Sequence, residues 1–238
     1  MNIISNQEIS LKKDTHEYKL STHPNMRFTS VTTFVEQFFE GFDAKKIASK
    51  LIANYSKYSN FTVESLIAEW KQKADYGTHV HNEIESWIKK KIQPKELKSI
   101  NGKNWLENYQ GKSNSDIFSE VIIYSTELKI AGTIDIIAKD NSTGSYELID
   151  WKTSRKIDRN SYKNKMGTHI TTNHVMDCNF YHYSLQLSLY RYILEKYYDF
   201  NIKNQLIIHL KDDGADALVA PYMKNEIIAM LSSNQNTI

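Results

Sequence analysis

The chain has 238 residues, of which 40% are hydrophobic, 24% charged and 12% aromatic, with only 8 glycines and 3 prolines. This composition excludes collagen-like, low-complexity and wholly disordered proteins, and the length suffices for one large domain or two small ones with a sizeable core. The net charge of +2 does not by itself require a polyanionic partner.

The cysteine content restricts redox and metal chemistry. Cys178 is the single cysteine, so the chain cannot form an internal disulfide, a thiolate zinc site or a four-cysteine iron–sulfur cluster. Residues 1–20 lack the apolar core of a signal peptide, and no later segment resembles a membrane span. We therefore expect no membrane association, and a cytoplasmic or other reducing intracellular compartment.

Helical patterns dominate the first half of the chain. Ser30, followed by Thr33, indicates a helix start, and a second helical stretch covers about 44–58. A longer helix is predicted from Thr62 to about Lys91, ending near Pro94. Residues 1–26 carry no pattern that predicts a structure.

The hydrophobic period changes to two from residue 117 onward, which is typical of β-strands. We predict a three-stranded meander over 118–126, 128–138 and 146–153, then a loop over 154–179, a helix over 181–198, and strands near 206–210 and 217–221. This order predicts an α/β fold. We treat residues 1–238 as one domain, with an N-terminal accessory region at 1–60 and a core at 61–222.

Three ionisable residues interrupt two otherwise apolar strands. Asp150 and Lys152 are two residues apart, so they project from the same face of a strand. If the hairpin turns symmetrically about Ser142 and Thr143, Asp135 lies opposite Asp150, with Cβ atoms about 4.5–5.5 Å apart. The two carboxylates are therefore expected to lie side by side.

Two carboxylates held this close in a partly buried site repel each other unless they share a proton or bind a cation. We favour Mg²⁺ or Mn²⁺, which would polarise a phosphodiester and activate water. The Lys152 ammonium could orient or deprotonate that water, or neutralise charge on the phosphate. The structural alternative is a salt-bridged patch on a solvated sheet face, and the coincidence of all three residues favours catalysis.

The residues around these positions resemble a known family. The segments Gly132–Asp135 (GTID) and Glu147–Thr153 (ELIDWKT) are similar to the core of the PD-(D/E)XK nuclease superfamily. Gly77–His81 resembles the helical Gly-x-x-x-His motif of its RecB-type exonuclease branch, and Gln186–Tyr190 resembles the Gln-x-x-x-Tyr motif of that branch. The resemblance implies a restriction-endonuclease-like core, in which helices flank a mixed central sheet, with a helical N-terminal region.

Two further segments narrow the resemblance. Ser30–Thr33 and the stretch from Asp177 to Gln186 are similar to stand-alone viral and phage relatives of the mitochondrial genome maintenance exonuclease. The motifs occur in the expected order and span about residues 30–222.

The resemblance implies roles for individual residues. Asp135 and Asp150 become metal ligands, Lys152 the catalytic lysine, and His81 a further metal ligand. Helical geometry favours His81 over His79, because the two point about 200° apart at 100° per residue. A hydrogen-bonded core histidine is the alternative for His81.

Four other residues are weaker candidates. Glu120 matches the preceding acidic position of the family and would bind the metal directly or through water, although Glu85 shares a helical face with the metal-binding histidine and competes for this role. Gln186 and Tyr190 are four residues apart on one helix face. They are expected to contact DNA phosphate or to brace the lysine strand, with Tyr190 also supplying core packing.

A basic segment follows the lysine strand. Residues 152–165 contain six basic side chains against one acidic side chain. We expect Arg155, Lys156 and Arg159 to hold a DNA backbone, in a manner that weakens steeply with salt, whereas Lys163 and Lys165 also fit a solvated loop.

The function predicted from these features is metal-dependent hydrolysis of DNA by an exonuclease, on single-stranded DNA or DNA ends, during replication, recombination or repair. Proteins of replication or recombination are candidate partners, since the chain lacks a GxxxxGK[ST] phosphate loop for unwinding DNA itself. A structure- or site-specific endonuclease and a non-catalytic DNA-binding module of the same fold are the alternatives.

Overall fold

The computed structural model describes residues 8–12 and 15–235. The helices within these residues are α1 (Val31–Glu36), α2 (Ala44–Asn54), α3 (Val63–Lys90), α4 (Leu97–Lys112), α5 (Asn179–Tyr197) and α6 (Lys224–Gln235). The strands are β1 (Ile9–Lys12), β2 (Glu17–Leu20), β3 (Thr29–Ser30), β4 (Ser115–Ser125), β5 (Ile130–Asp140), β6 (Tyr146–Lys152), β7 (Ile202–Lys211) and β8 (Gly214–Val219). Short 3-10 helices lie at Ser56–Tyr58 and Tyr162–Asn164.

A six-stranded mixed sheet forms the centre of the fold. The strand order is β3-β5-β6-β7-β8, and β4 pairs with β5. The pairs β4–β5, β5–β6 and β7–β8 are antiparallel, whereas β3–β5 and β6–β7 are parallel. The loop after β6 and helix α5 make the crossover that a parallel neighbour requires.

Helices cover both faces of the sheet. One face packs with α1, α5 and α6 around a core that includes Phe34, Leu187 and Met230. On the other face, α3 and α4 supply Ile84 and Leu106. The α/β fold class with a mixed sheet flanked by helices is therefore confirmed.

Helix caps explain why two predicted helices start where they do. The Ser30 side chain accepts a hydrogen bond from the Thr33 backbone N–H, as predicted for the start of α1. Thr62 and Ser65 form a reciprocal capping box at the start of α3.

Helix α4, helix α6, strand β3 and the β1–β2 hairpin were not predicted from the sequence. Helix α4 is rich in polar residues and contains two glycines, so it lacks a clear amphipathic pattern. Gly102 is nevertheless needed, because a Cβ atom there would lie 2.7 Å from Ile84 Cδ1 of α3. The β1–β2 hairpin packs on Ala131.

Among the described helices, none combines the length and apolarity needed to cross a membrane.

Candidate active site

The site begins where the β5–β6 ladder ends. Its last pair is Ile136 with Ile149, so Asp135 and Asp150 each lie one residue beyond it. This is the register predicted from a symmetric hairpin. The backbone N–H of Trp151 donates a hydrogen bond of 2.8 Å to Asp135 Oδ2, so the carboxylate replaces a strand partner and is fixed in place.

Three potential ligand side chains converge at this point. Atoms of His81, Glu120 and Asp135 lie within 4.8 Å of one another. His81 Nδ1 is 3.5 Å from Asp135 Oδ1. His79 instead points away, with Nε2 3.6 Å from Glu83 Oε1, so the structure brings His81, and not its neighbour, to the site.

Helix α3 reaches the site because Gly77 allows it to approach β6. A Cβ atom on Gly77 would lie only 2.8 Å from Thr153 Oγ1. His81 is one turn further along α3 and consequently extends beside Asp135. This contact explains the spacing of the Gly-x-x-x-His motif in physical terms.

Glu120 occupies an unusual backbone position. Its φ angle is 54° in the middle of β4, whereas Ser119 and Val121 on either side pair regularly with β5. A left-handed residue other than glycine costs of the order of 1–3 kcal/mol and is typical of functional sites. Glu85, the competing candidate, forms an ion pair with Lys89 at 2.7 Å and is not in the three-residue cluster.

Asp150 lies beside this cluster but does not join it. Its Oδ2 is 2.7 Å from Lys152 Nζ, and Gln186 Nε2 donates to its Oδ1 at 3.4 Å. The Lys152 ammonium also lies 4.4 Å from the centre of the Tyr183 ring. The sequence interpretation missed Tyr183, although its position three residues before Gln186 on the same helical face could have indicated it.

Burial and crowding alter the acid–base properties of the carboxylates. Burial, reinforced by the Asp135 and Glu85 carboxylates, raises the pKa of Glu120 to about 7. Burial likewise raises the pKa of Asp150 to about 6, with Lys152 opposing the shift. These two groups bind protons more tightly than ordinary carboxylates because burial removes them from water and neighbouring carboxylates repel their negative charge.

The pKa values of Asp135, His81 and Lys152 shift in the direction opposite to the one that burial alone would cause. Burial raises the pKa of Asp135, but His81 and Lys152 outweigh it and hold the pKa below its ordinary value. Burial lowers the pKa values of His81 and Lys152, but neighbouring carboxylates outweigh it and hold both above their ordinary values. Lys152 is therefore an ammonium at neutral pH.

Comparison with known proteins places this geometry in a family. The family model of the PD-(D/E)XK nuclease superfamily matches residues 33–205. The chain belongs to the PD-(D/E)XK nuclease superfamily. A search of curated proteins finds no match. The solved structure of SSO0001 is similar at 14% identity and a TM-score of 0.40, over 88% of this chain and 75% of that one.

Membership of this superfamily implies a divalent metal, and the residues present fit one. The His81, Glu120 and Asp135 side chains offer two carboxylates and one imidazole within a small radius. Oxygen-rich sets of this kind suit hard cations such as Mg²⁺ and Mn²⁺. The raised pKa of Glu120 fits as well, because a bound cation would stabilise the ionised carboxylate that burial and the neighbouring carboxylates disfavour.

A cleft of about 920 Å³ opens next to the cluster. Its wall includes His81, Lys152 and Arg155, together with Lys73 and Lys98. The basic wall gives a phosphate backbone a favourable route to the carboxylates.

The loop after β6 begins in a fixed position. Lys98 Nζ donates to the Thr153 carbonyl at 2.8 Å, and His209 Nε2 is 2.6 Å from the Ser154 carbonyl. Arg155 follows directly and reaches the cleft, whereas Lys156 is exposed and Arg159 lies over the Phe180 ring at 4.4 Å. The three basic residues predicted to bind DNA are thus spread along the loop, and of these only Arg155 lines the cleft.

Tyr190 is buried, with 3% of its surface exposed. Gly132 makes room for it, because a Cβ atom there would lie 2.5 Å from Tyr190 Cε1. Gln186 Nε2 lies 3.5 Å from the Tyr190 hydroxyl and also contacts Asp150. This placement favours the bracing role for Tyr190 over the predicted DNA contact, since a buried side chain presents almost no surface to DNA.

Proposed function

We propose that the protein is a Mg²⁺- or Mn²⁺-dependent deoxyribonuclease that acts as an exonuclease on single-stranded DNA or DNA ends. The observation that carries this proposal is the position of the His81, Glu120 and Asp135 cluster beside the Asp150–Lys152 pair, with His81 and Lys152 in the wall of a basic cleft. The superfamily supplies the nuclease chemistry, and the two helical motifs support the RecB-type branch and its viral relatives.

Each side chain has a distinct task in this proposal. His81, Glu120 and Asp135 would hold the cation, which would polarise the phosphodiester and lower the pKa of water. Asp150, which lies outside this cluster in the metal-free geometry, would complete the predicted ligand set once the cation is bound. The Lys152 ammonium, held by Asp150 at 2.7 Å, would neutralise charge that develops on the phosphate oxygens. Of its two predicted roles, the raised pKa favours charge neutralisation over proton abstraction. Gln186 would orient Asp150, and Arg155 would bind an adjacent phosphate.

The cleft also supports a preference for DNA ends. The turn between β7 and β8 places Asp212 and Asp213 in the cleft wall. Lys211, in the same wall, lies 3.7 Å from Asp213 Oδ1 and offsets its charge, so Asp212 is the side chain that would repel the phosphates of a strand that continues past the site. A terminus avoids this repulsion, whereas an internal segment does not.

The end requirement can be tested with linear and circular single-stranded DNA of the same sequence. We expect wild type with Mg²⁺ or Mn²⁺ to degrade the linear form only, and Lys152→Ala to degrade neither. Lys90→Ala, which alters an exposed lysine at the end of α3, is the matched control and should behave as wild type. Cleavage of the circle would instead establish the endonuclease alternative.

The non-catalytic alternative makes a different prediction, namely DNA binding without hydrolysis under any metal condition. The same proposal includes a role in replication, recombination or repair, with protein partners from these processes. It also includes a reducing intracellular location. The division into an accessory region at 1–60 and a core at 61–222 stays a prediction.

A further inference from the structure

Three large aromatic side chains are exposed along helix α2, outside the cleft. Phe42 is 69% exposed and lies two residues before α2, whereas Tyr55 is 46% exposed and directly follows it. Tyr162, from the loop after β6, is 64% exposed, and its hydroxyl lies 3.3 Å from that of Tyr55. Exposed aromatic rings at both ends of one helix mark an elongated surface rather than isolated side chains.

Basic side chains lie between and beside these rings. Lys46 and Lys50 are four residues apart, so they share one face of α2. Lys163 Nζ lies 5.5 Å from the centre of the Tyr162 ring. We call the set Phe42, Lys46, Lys50, Tyr55, Tyr162 and Lys163 the α2 strip.

A groove of about 750 Å³ runs along part of this strip, lined by Phe42, Lys46 and Lys50 among others. Three of the four acidic side chains in its described lining already have partners. Glu40 pairs with Lys165, Asp177 lies 3.0 Å from His182 Nε2, and Asp43 caps α2. The lining has four carboxylates and three lysines, so its net charge does not favour an anion. The contacts to phosphate would come from Lys46 and Lys50, which form no salt bridge within the described residues because Glu40 is held by Lys165.

Two separate elements connect the α2 strip with the cleft. On α3, Lys73 and Ala74 line the cleft, and Trp70, one turn earlier, packs against Phe42 with ring centres 5.5 Å apart. The loop after β6 similarly runs from Arg155 in the cleft to Tyr162 in the strip. Trp70 is eleven residues from His81 on α3, which is about 16 Å at 1.5 Å per residue.

We propose that the α2 strip binds single-stranded DNA that extends from the cleft. The bases would stack on the exposed rings, and the lysines would contact the phosphates between them. Duplex DNA cannot use the strip in this way, because its base faces are already stacked. The inference rests on the proposed nuclease function and deepens it, since it identifies single strands as the preferred substrate class.

The test is binding, measured by fluorescence anisotropy in EDTA, so that no hydrolysis is required. The probes are an oligothymidylate of about 20 nucleotides, long enough to span cleft and strip, and a duplex of the same length. We expect Tyr55→Ala/Tyr162→Ala to weaken single-strand binding by about 25-fold or more, since each of the two rings contributes roughly fivefold or more. Duplex binding should change less than about twofold in the same variant.

Matched variants separate stacking from other effects. Tyr55→Phe/Tyr162→Phe keeps both rings and should bind as wild type, as should Val219→Ala, which removes an exposed apolar side chain on β8. Unchanged single-strand binding in the double alanine variant would overturn the inference, as would equal weakening of single-strand and duplex binding.

A separate hydrolysis assay distinguishes failure of the proposed function from failure of this inference. If wild type hydrolyses no DNA with any metal but the anisotropy pattern holds, the strip stands and the nuclease proposal fails. If hydrolysis is metal-dependent but the double alanine variant binds as wild type, only the strip is refuted.

Discussion

Replacing Glu120 with glutamine should stabilise the metal-free protein at alkaline pH, although it removes a proposed ligand. The carboxyl has its pKa raised from 4.5 to about 7 in the folded protein. Its ionised form is therefore disfavoured by folding, and the cost appears as the pH rises from about 4.5 through about 7. Glutamine keeps the shape and stays neutral, so it avoids this cost.

The magnitude follows from the same shift. At about 1.4 kcal/mol for each tenfold change in proton affinity, the upper limit is about 3 kcal/mol. Solvent screening lowers this value because the side chain is only partly buried. We expect Glu120→Gln to raise the free energy of unfolding by about 1–3 kcal/mol at about pH 8, and to have almost no effect at about pH 4, below the ordinary pKa of the carboxyl.

Urea denaturation in EDTA at both pH values measures this difference, and a second series with excess Mn²⁺ adds the metal. Because a ligand stabilises the folded state in proportion to its affinity, Mn²⁺ should stabilise wild type more than Glu120→Gln. Glu107→Gln, at a glutamate whose side chain is 51% exposed on α4, is the control and should change stability by less than about 0.5 kcal/mol throughout. Equal stability of wild type and Glu120→Gln at alkaline pH would contradict a destabilising Glu120 carboxylate, and equal gains from Mn²⁺ would contradict its role as a metal ligand.

Three further substitutions test how the site is held. Gly132→Ala should cost about 1–3 kcal/mol in urea denaturation, because its Cβ would meet a buried ring at 2.5 Å, whereas Gly41→Ala, with no atom within 4 Å, should not destabilise. Gly77→Ala should stabilise the protein by about 1 kcal/mol, through higher helix propensity, only when Thr153 is also replaced by alanine, because this removes the 2.8 Å contact. The same gain in the presence of Thr153 would contradict the close approach of α3 to β6. Lys152→Met should lower the free energy of unfolding by about 3 kcal/mol at about pH 8, and by less at about pH 5, where the unpaired Asp150 binds a proton. The same loss of stability at both pH values would contradict the ion pair between Lys152 and Asp150.

The sequence was informative about the carboxylates because strand geometry is regular. A period of two and a symmetric hairpin were sufficient to bring Asp135 and Asp150 to the end of one ladder. Helical periodicity likewise selected His81 over His79. In each case the relevant contacts are local or follow from a single turn.

Features that depend on tertiary contacts were not predictable in this way. The polar helix α4 is stabilised by its close packing on α3, which no periodic pattern reports. The left-handed backbone of Glu120 has no sequence signal, because turn residues such as glycine usually mark such positions. The burial of Tyr190 behind Gly132 also depends on how α5 packs against β5. The Gln-x-x-x-Tyr motif could not reveal this packing, because the motif alone was equally consistent with contact to DNA.

In the proposed function, the carboxylate–histidine cluster supports metal-dependent cleavage of DNA. The most direct test is release of acid-soluble nucleotides from labelled single-stranded DNA by wild type and Asp135→Asn, each with Mg²⁺, Mn²⁺ or EDTA. We predict release by wild type with either metal, none in EDTA, and none by Asp135→Asn although it still binds DNA. Release that persists in EDTA, or equal release by Asp135→Asn and wild type, would contradict the assignment of this site.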